Sequence, residues 1–262
     1  CPALGIAILV FFVAPEAGIK EFRFLQQLEL WAYDARIRLF LPKTRDPRVV
    51  ILDIDEKSLN AEGRYPWPRN KMALLVQQLF ERYQVAVVGF DIAFPEPDTS
   101  SGLPVLENLA KGDLKGNAEY LAILEKSRAS LNYDQLFADE MKKWPVVLGV
   151  AMGGKEDVAG VLPDPSFALK DLGNVKFLHQ LTTGYSGNIQ LLQDSAAMGG
   201  HFYPSLDIDG TTRRVPIFVR YKDHFYQALA LAVARTYLGN PPVKLQTGEP
   251  FRSGGQMQGW IQ

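Results

Sequence analysis

Two apolar runs that each close on aspartate, RVVILDIDEKSL at Arg48–Leu59 and VAVVGFDIAFPEPD at Val85–Asp98, constrain the fold of this chain most. Their near-continuous Val, Ile and Leu content is expected of strands buried on both faces, and predicts strands over Val49–Ile54 and Val85–Phe90. Between them, Met72, Leu75, Val76, Leu79 and Phe80 recur at helical spacing and predict a helix from Arg69 to about Tyr83. Strand, helix and strand at this spacing make a parallel βαβ unit. Leu131–Lys142 as helix and Val146–Val150 as strand extend the same pattern. The expected class is α/β, a mostly parallel sheet with helices on both faces.

Ligands of such sheets sit at the carboxyl ends of the strands, where Asp53, Asp55 and Asp91 fall. Converging carboxylates there suit a hard divalent cation or a basic or hydroxylated ligand. The same residues also suit capping, since Asp55 precedes EKSL as a helix N-cap and Asp91 can hold a turn. Arg69, directly after Pro68, is placed to pair with one of these aspartates, and such a pair argues against a metal. In the run Pro66-Trp67-Pro68 the prolines restrict the backbone on both sides and present Trp67 rigidly, as a ligand platform or as a plug of the core.

Residues Pro2–Ala14 carry no charge, and Glu16 is the first ionisable side chain after Cys1. A full membrane span needs about 20 apolar residues, so the run alone is too short; it reads as the end of a transmembrane helix, the alternatives being a buried core element or a signal-peptide remnant. From residue 16 to 45 an amphipathic helix is expected, with Phe22, Leu25, Leu28, Leu30 and Trp31 among polar residues. Asp34 and Arg38 lie four apart and are expected to pair on one face, leaving Arg36 as the freer candidate for a contact to another element.

A second carboxylate motif, DIDGTT at Asp207–Thr212, matches the DxDGT of haloacid-dehalogenase-like phosphatases, in which Asp207 would be nucleophile and Asp209 acid/base. A hairpin accounts for it better: Asp209 and Gly210 supply turn chemistry and Val215–Tyr221 a strand, followed by a helix over Tyr226–Leu238 that ends at Gly239. Arg213 and Arg214 at the strand start are placed to pair with aspartate or to grip an anionic ligand. Residues 100–130, with helical stretches at Val105–Ala110 and Ala118–Arg128, read as a surface insertion.

A net charge of −1 with evenly spread ionic residues provides no field for a polyanion, so nucleic acid is excluded as a partner. The single cysteine, Cys1, excludes an internal disulfide and a cysteine-rich zinc site. The three histidines show no ligand spacing, and no nucleotide-binding glycine motif occurs, so no cofactor and no catalytic set is assigned.

Taken in order, WAYDARIRL at Trp31–Leu39, RVVILDIDEKSL, RYPWPR at Arg64–Arg69, VAVVGFDIAFPEPD, DIDGTTRRVPIFVRY at Asp207–Tyr221 and FYQALALAVAR at Phe225–Arg235 resemble the CHASE2 family of bacterial extracytoplasmic sensor domains. The resemblance spans about residues 25 to 240. It implies a sensor domain over 46–245, a tail over 246–262, and a membrane anchor in 1–15. It further implies a place on the periplasmic or extracellular side of the bacterial plasma membrane and control of a cytoplasmic adenylate or guanylate cyclase or a kinase. Its ligand, a small molecule or a protein, is undefined, and a homodimer is expected because such outputs act in pairs. The other classes compatible with the sequence are a cell-envelope scaffold and, with Asp207 and Asp209, the phosphatase.

Overall fold

The computed structural model describes residues 23–41, 46–154, 157–172, 180–244, 251–253 and 256–258. Its centre is β2 (Val146–Gly153), whose first five residues are all buried, as the unbroken apolar run VVLGV requires. Val146–Leu148 pair in parallel with β1 (Val88–Phe90), and Val147–Val150 pair in parallel with β7 (Met198–His201). The last three residues, Ala151–Gly153, turn away and pair antiparallel with β6 (Gly184–Ser186), which also holds β3 (Val158–Ala159). An eight-residue strand is thus shared between a parallel half and an antiparallel half. The expected mostly parallel sheet is therefore corrected to a mixed one.

A second mixed sheet runs β4 (Phe167–Ala168), β11 (His224–Gln227), β10 (Phe218–Tyr221) and β5 (Gln180–Thr182). The expected strand Val215–Tyr221 is broken at Pro216, leaving Thr212–Arg214 as β9 in a hairpin with β8 (Ser205–Leu206) and Phe218–Tyr221 as β10. The start of the expected helix Tyr226–Leu238 is also corrected: His224–Gln227 is strand, and α8 runs Leu229–Tyr237. The helix ends where Gly239 takes φ +82°, the left-handed conformation glycine adopts freely.

Helices cover both faces of the parallel half. On one side lie α3 (Arg69–Glu81) and α6 (Tyr133–Met141), which bury Met72, Val76, Phe80, Phe137 and Met141. On the other lies α8, so close that a Cβ added to Gly200 would stand 2.6 Å from the Leu229 Cα. Phe137 is fully buried and meets Phe90 and Phe94 edge to face, with ring centres 5.9 and 5.6 Å away. Phe137→Ala is expected to cost about 3–5 kcal/mol in urea unfolding, and a loss below about 1 kcal/mol would contradict this placement of the core.

The expected strand Val49–Ile54 does not form. Residues 49–55 form no helix or strand and pair with no strand among the described residues, and Val49, Val50, Ile51 and Leu52 are 73%, 82%, 88% and 59% exposed. An apolar run reports a preference for burial, whereas a strand also needs a neighbour with free hydrogen-bonding groups in register. The βαβ unit read from Arg48–Phe90 is therefore replaced by two others, β1-α6-β2 and β2-α7-β7, where α7 is Gln190–Gln193. The insertion forms a helical pair, α4 (Leu103–Lys111) and α5 (Ala118–Leu131), that buries only Leu124. Among the described residues no helix is long and apolar enough to cross a membrane, and the run Pro2–Ala14 lies outside them.

Candidate functional site

The site begins with the turn of the DIDGTT motif. The amide of Gly210 donates to the Asp207 carbonyl at 2.9 Å, and Gly210 adopts φ +78°, which closes the chain between β8 and β9. The Thr211 amide donates to Asp209 Oδ1 at 3.1 Å and fixes that carboxylate. Arg213, on β9, then has two carboxylates of its own hairpin beside it. The third comes from α1 (Arg23–Phe40), 179 residues away in sequence.

Arg213 uses every N–H of its guanidinium. Nε and Nη2 donate to the two oxygens of Asp34 at 2.7 and 2.9 Å. Nη1 donates to Asp207 Oδ2 at 3.0 Å and to Asp209 Oδ1 at 2.9 Å, and Nη2 also reaches Asp209 Oδ2 at 2.7 Å. The side chain is 5% exposed. Such two-point contacts fix orientation as well as distance. Hydrogen bonding from Arg213 holds the Asp34 and Asp209 carboxyls below the ordinary range, the Thr211 amide adding to it at Asp209, and these acids hold the Arg213 guanidinium charged. Arg214 stays mostly exposed, 4.0 Å from Asp207 Oδ1 and with its guanidinium 5.6 Å from the Tyr33 ring centre on α1.

This arrangement corrects two expectations. Asp34 gives both oxygens to Arg213 instead of pairing with Arg38, so Asp34 makes the contact between elements that Arg36 was expected to make. Arg36 Nε reaches only the Ala32 carbonyl in its own helix, at 3.4 Å. Nor is Arg213 open to an anionic ligand, because its five donors are occupied. The phosphatase reading fails on the same geometry. Asp207 lies at the turn of a two-stranded antiparallel hairpin, not at the end of a parallel strand, and its carboxylate is engaged by Arg213.

At the carboxyl edge of the sheet the aspartates do not converge. Asp53 and Asp91 are exposed, while Asp55 caps α2 (Glu56–Glu62) by accepting from the Ser58 amide and hydroxyl at 2.8 and 2.7 Å. The Ser58 amide, followed by its hydroxyl, lowers the Asp55 pKa. Among the described residues no three His, Cys, Asp or Glu side chains gather closely enough to share a metal ion. Trp67 is 8% exposed, packs into the main core and donates its indole N–H to the Gly63 carbonyl at 2.9 Å, so it plugs the core.

Arg69 pairs with aspartates that the sequence reading passed over. Its amide donates to Asp98 Oδ2 at 2.6 Å, its Nε lies 3.7 Å from Asp134 Oδ1, and its guanidinium sits 4.3 Å above the Phe94 ring. The Asp98 amide in turn donates to Asp134 Oδ2 at 2.8 Å. Burial raises the Asp134 pKa. At Asp98 burial acts in the same direction, but hydrogen bonds from the Arg69 amide and from the Ser100 side chain and amide prevail and lower it. This cluster ties the start of α3 to the loop after β1 and the start of α6. A carboxylate so close to a helix start reads locally as a dipole partner, which hid the role of Asp134.

The CHASE2 domain family matches residues 4–260, nearly the whole chain. The chain belongs to the CHASE2 family. CHASE2 is a family of extracytoplasmic sensor domains, which supports a sensor role for this one. No curated protein and no solved structure gives a significant match. Within this CHASE2 domain the motif blocks Trp31–Leu39 and Asp207–Tyr221, remote in sequence, are the two that Arg213 joins.

Proposed function

We propose that this CHASE2 domain is the sensing part of a membrane-bound bacterial receptor, held outside the cytoplasm and controlling a cytoplasmic cyclase or kinase. The observation that carries this reading is the seating of Arg213 between α1 and the Asp207–Thr211 turn. An element that transmits a signal needs a contact with two discrete states, and a fully used, two-point guanidinium is either seated or released. Ligand binding in the body shifts the turn, and Asp34 carries that shift into α1.

The same helix supports pairing of two receptors. Leu30 and Asp34 face the domain, whereas Phe24, Leu28, Trp31 and Ala35 form an exposed stripe about 110° around the helix from them. Their 4-3-4 spacing is that of a coiled-coil seam, so the partner we assign is α1 of a second copy. Cysteine placed at Leu28 is expected to cross-link two copies in native membranes on mild oxidation. Cysteine at Ile37, which lies about 180° around the helix from Leu28, is not expected to do so. Equal cross-linking at both positions, or none at either, would contradict the pairing. For the sensor reading itself, the intact mass of the protein in native membranes is expected to exceed 29.2 kDa by the size of an output domain. A mass matching the chain alone would overturn it.

A further inference from the structure

A cleft of about 620 Å³ opens beside the start of β7, between α7, α8 and the loop at Pro163–Ser166. Its volume falls in the range of small-molecule sites, about 300–1,000 Å³. Its polar lining includes Asp164, Gln190, Gln193, Asp194, Gln227 and Arg235. None belongs to the Arg213 or Arg69 clusters.

Two of these groups are fixed in place yet left incomplete. Arg235 donates Nε to the Pro241 carbonyl at 2.9 Å and Nη1 to Gln227 Oε1 at 2.6 Å, and forms no ion pair among the described residues. Its Nη2 therefore remains available on an immobilised guanidinium. Gln193 is only 9% exposed, and its Oε1 is held by the fully buried Asn188 at 3.0 Å. That contact leaves the Gln193 amide NH2 without an acceptor among the described residues. That NH2 faces the cleft on a side chain fixed by Asn188, so it can donate to a ligand without reorganising.

The charges are also incomplete. Asp164 and Asp194 line the same cleft, and neither pairs with a cation among the described residues, although Asp194 accepts from Gln190 at 2.6 Å. A cation and two carboxylates kept apart in one cleft complement a molecule that carries both signs. We propose that the cleft binds a small zwitterion of the free amino-acid class. Its carboxylate lies on Arg235, its ammonium group at Asp194 or Asp164, and Gln193 donates to one of its oxygens. Arginine suits the carboxylate because its planar N–H edge matches that geometry.

The test is isothermal titration calorimetry of the full chain in nanodiscs with each of the twenty standard amino acids, and with succinate and putrescine as ligands of one charge sign. At least one amino acid is expected to bind saturably. Arg235→Gln and Asp194→Asn are each expected to weaken it about tenfold, the value of one charged hydrogen bond. Ala197→Trp, at an exposed position on the cleft wall, blocks the space without disturbing the Arg235 contacts and is expected to abolish binding. Absence of binding by all twenty, preference for succinate or putrescine, or binding indifferent to Ala197→Trp and Arg235→Gln would overturn the proposal. Binding that leaves receptor output unchanged would uphold this site and count against the coupling through Arg213, so the two readings fail separately.

Discussion

Arg213→Ala is expected to release α1 from the domain and leave Asp34, Asp207 and Asp209 facing one another without a countercharge. Removing the buried cation that three partly exposed carboxylates share is unfavourable, because the remaining charges lose their attraction and keep their repulsion. Hydrogen exchange of the α1 amides should accelerate severalfold, with the core of β2 little affected. Arg128→Ala, which removes the contacts to Glu107 and Glu125 on the surface helices, serves as the control and should leave α1 unchanged. The pH dependence has a definite sign. Asp34 and Asp209 titrate below their ordinary 3.8 in the folded chain, so their contribution is complete above that value and is lost as pH falls through their lowered values. Protection of α1 that is the same in Arg213→Ala and the parent chain would show that Leu30 and its apolar neighbours, and not the guanidinium, hold the helix.

His201 should give the domain a second acid sensitivity, in a higher window. It ends β7 at 1% exposure, accepts the Tyr203 amide at Nδ1 at 3.2 Å, and its Nε2 has no partner among the described residues. The neutral tautomer therefore carries its proton on Nε2. Burial pushes the pKa down from 6.5 to about 4. Between these values the unfolded chain binds a proton that the folded chain refuses, so stability falls as pH drops from 6.5 to 4, by about 3 kcal/mol in total. His201→Leu removes the titrating group and the unpaired N–H, and is expected to flatten urea-unfolding stability over that interval. A slope unchanged by His201→Leu would assign it to other groups.

What the sequence revealed depended on how local the information was. The strand read over Val146–Val150 and the helix read over Leu131–Lys142 were legible because local pattern specifies them within a few residues; they form as Val146–Gly153 and Tyr133–Met141, the helix starting later because Asn132 caps it. The turn at Asp209 and Gly210 was legible for the same reason. Val49–Ile54 was misread because its composition states a preference for burial and names no neighbour. Asp34 was assigned to Arg38 because four residues along a helix is the only pairing a sequence displays, whereas its partner lies on β9. Arg69 was correctly marked for pairing, but its acids, Asp98 and Asp134, come from a loop and a distant helix. The cleft could not be read at all, since its amides and its arginine are gathered from α7, β11 and α8, and no spacing connects them.

The central claim is that α1 and the Asp207–Thr211 turn act as one unit through Asp34 and Arg213. A double-mutant cycle of Asp34→Asn, Arg213→Gln and their combination, read as the enzymatic output of the intact receptor in native membranes, tests it most directly. Each single variant is expected to shift output in the same direction, and the double variant to shift it no further than either. Additive effects, or output untouched by all three, would contradict the account.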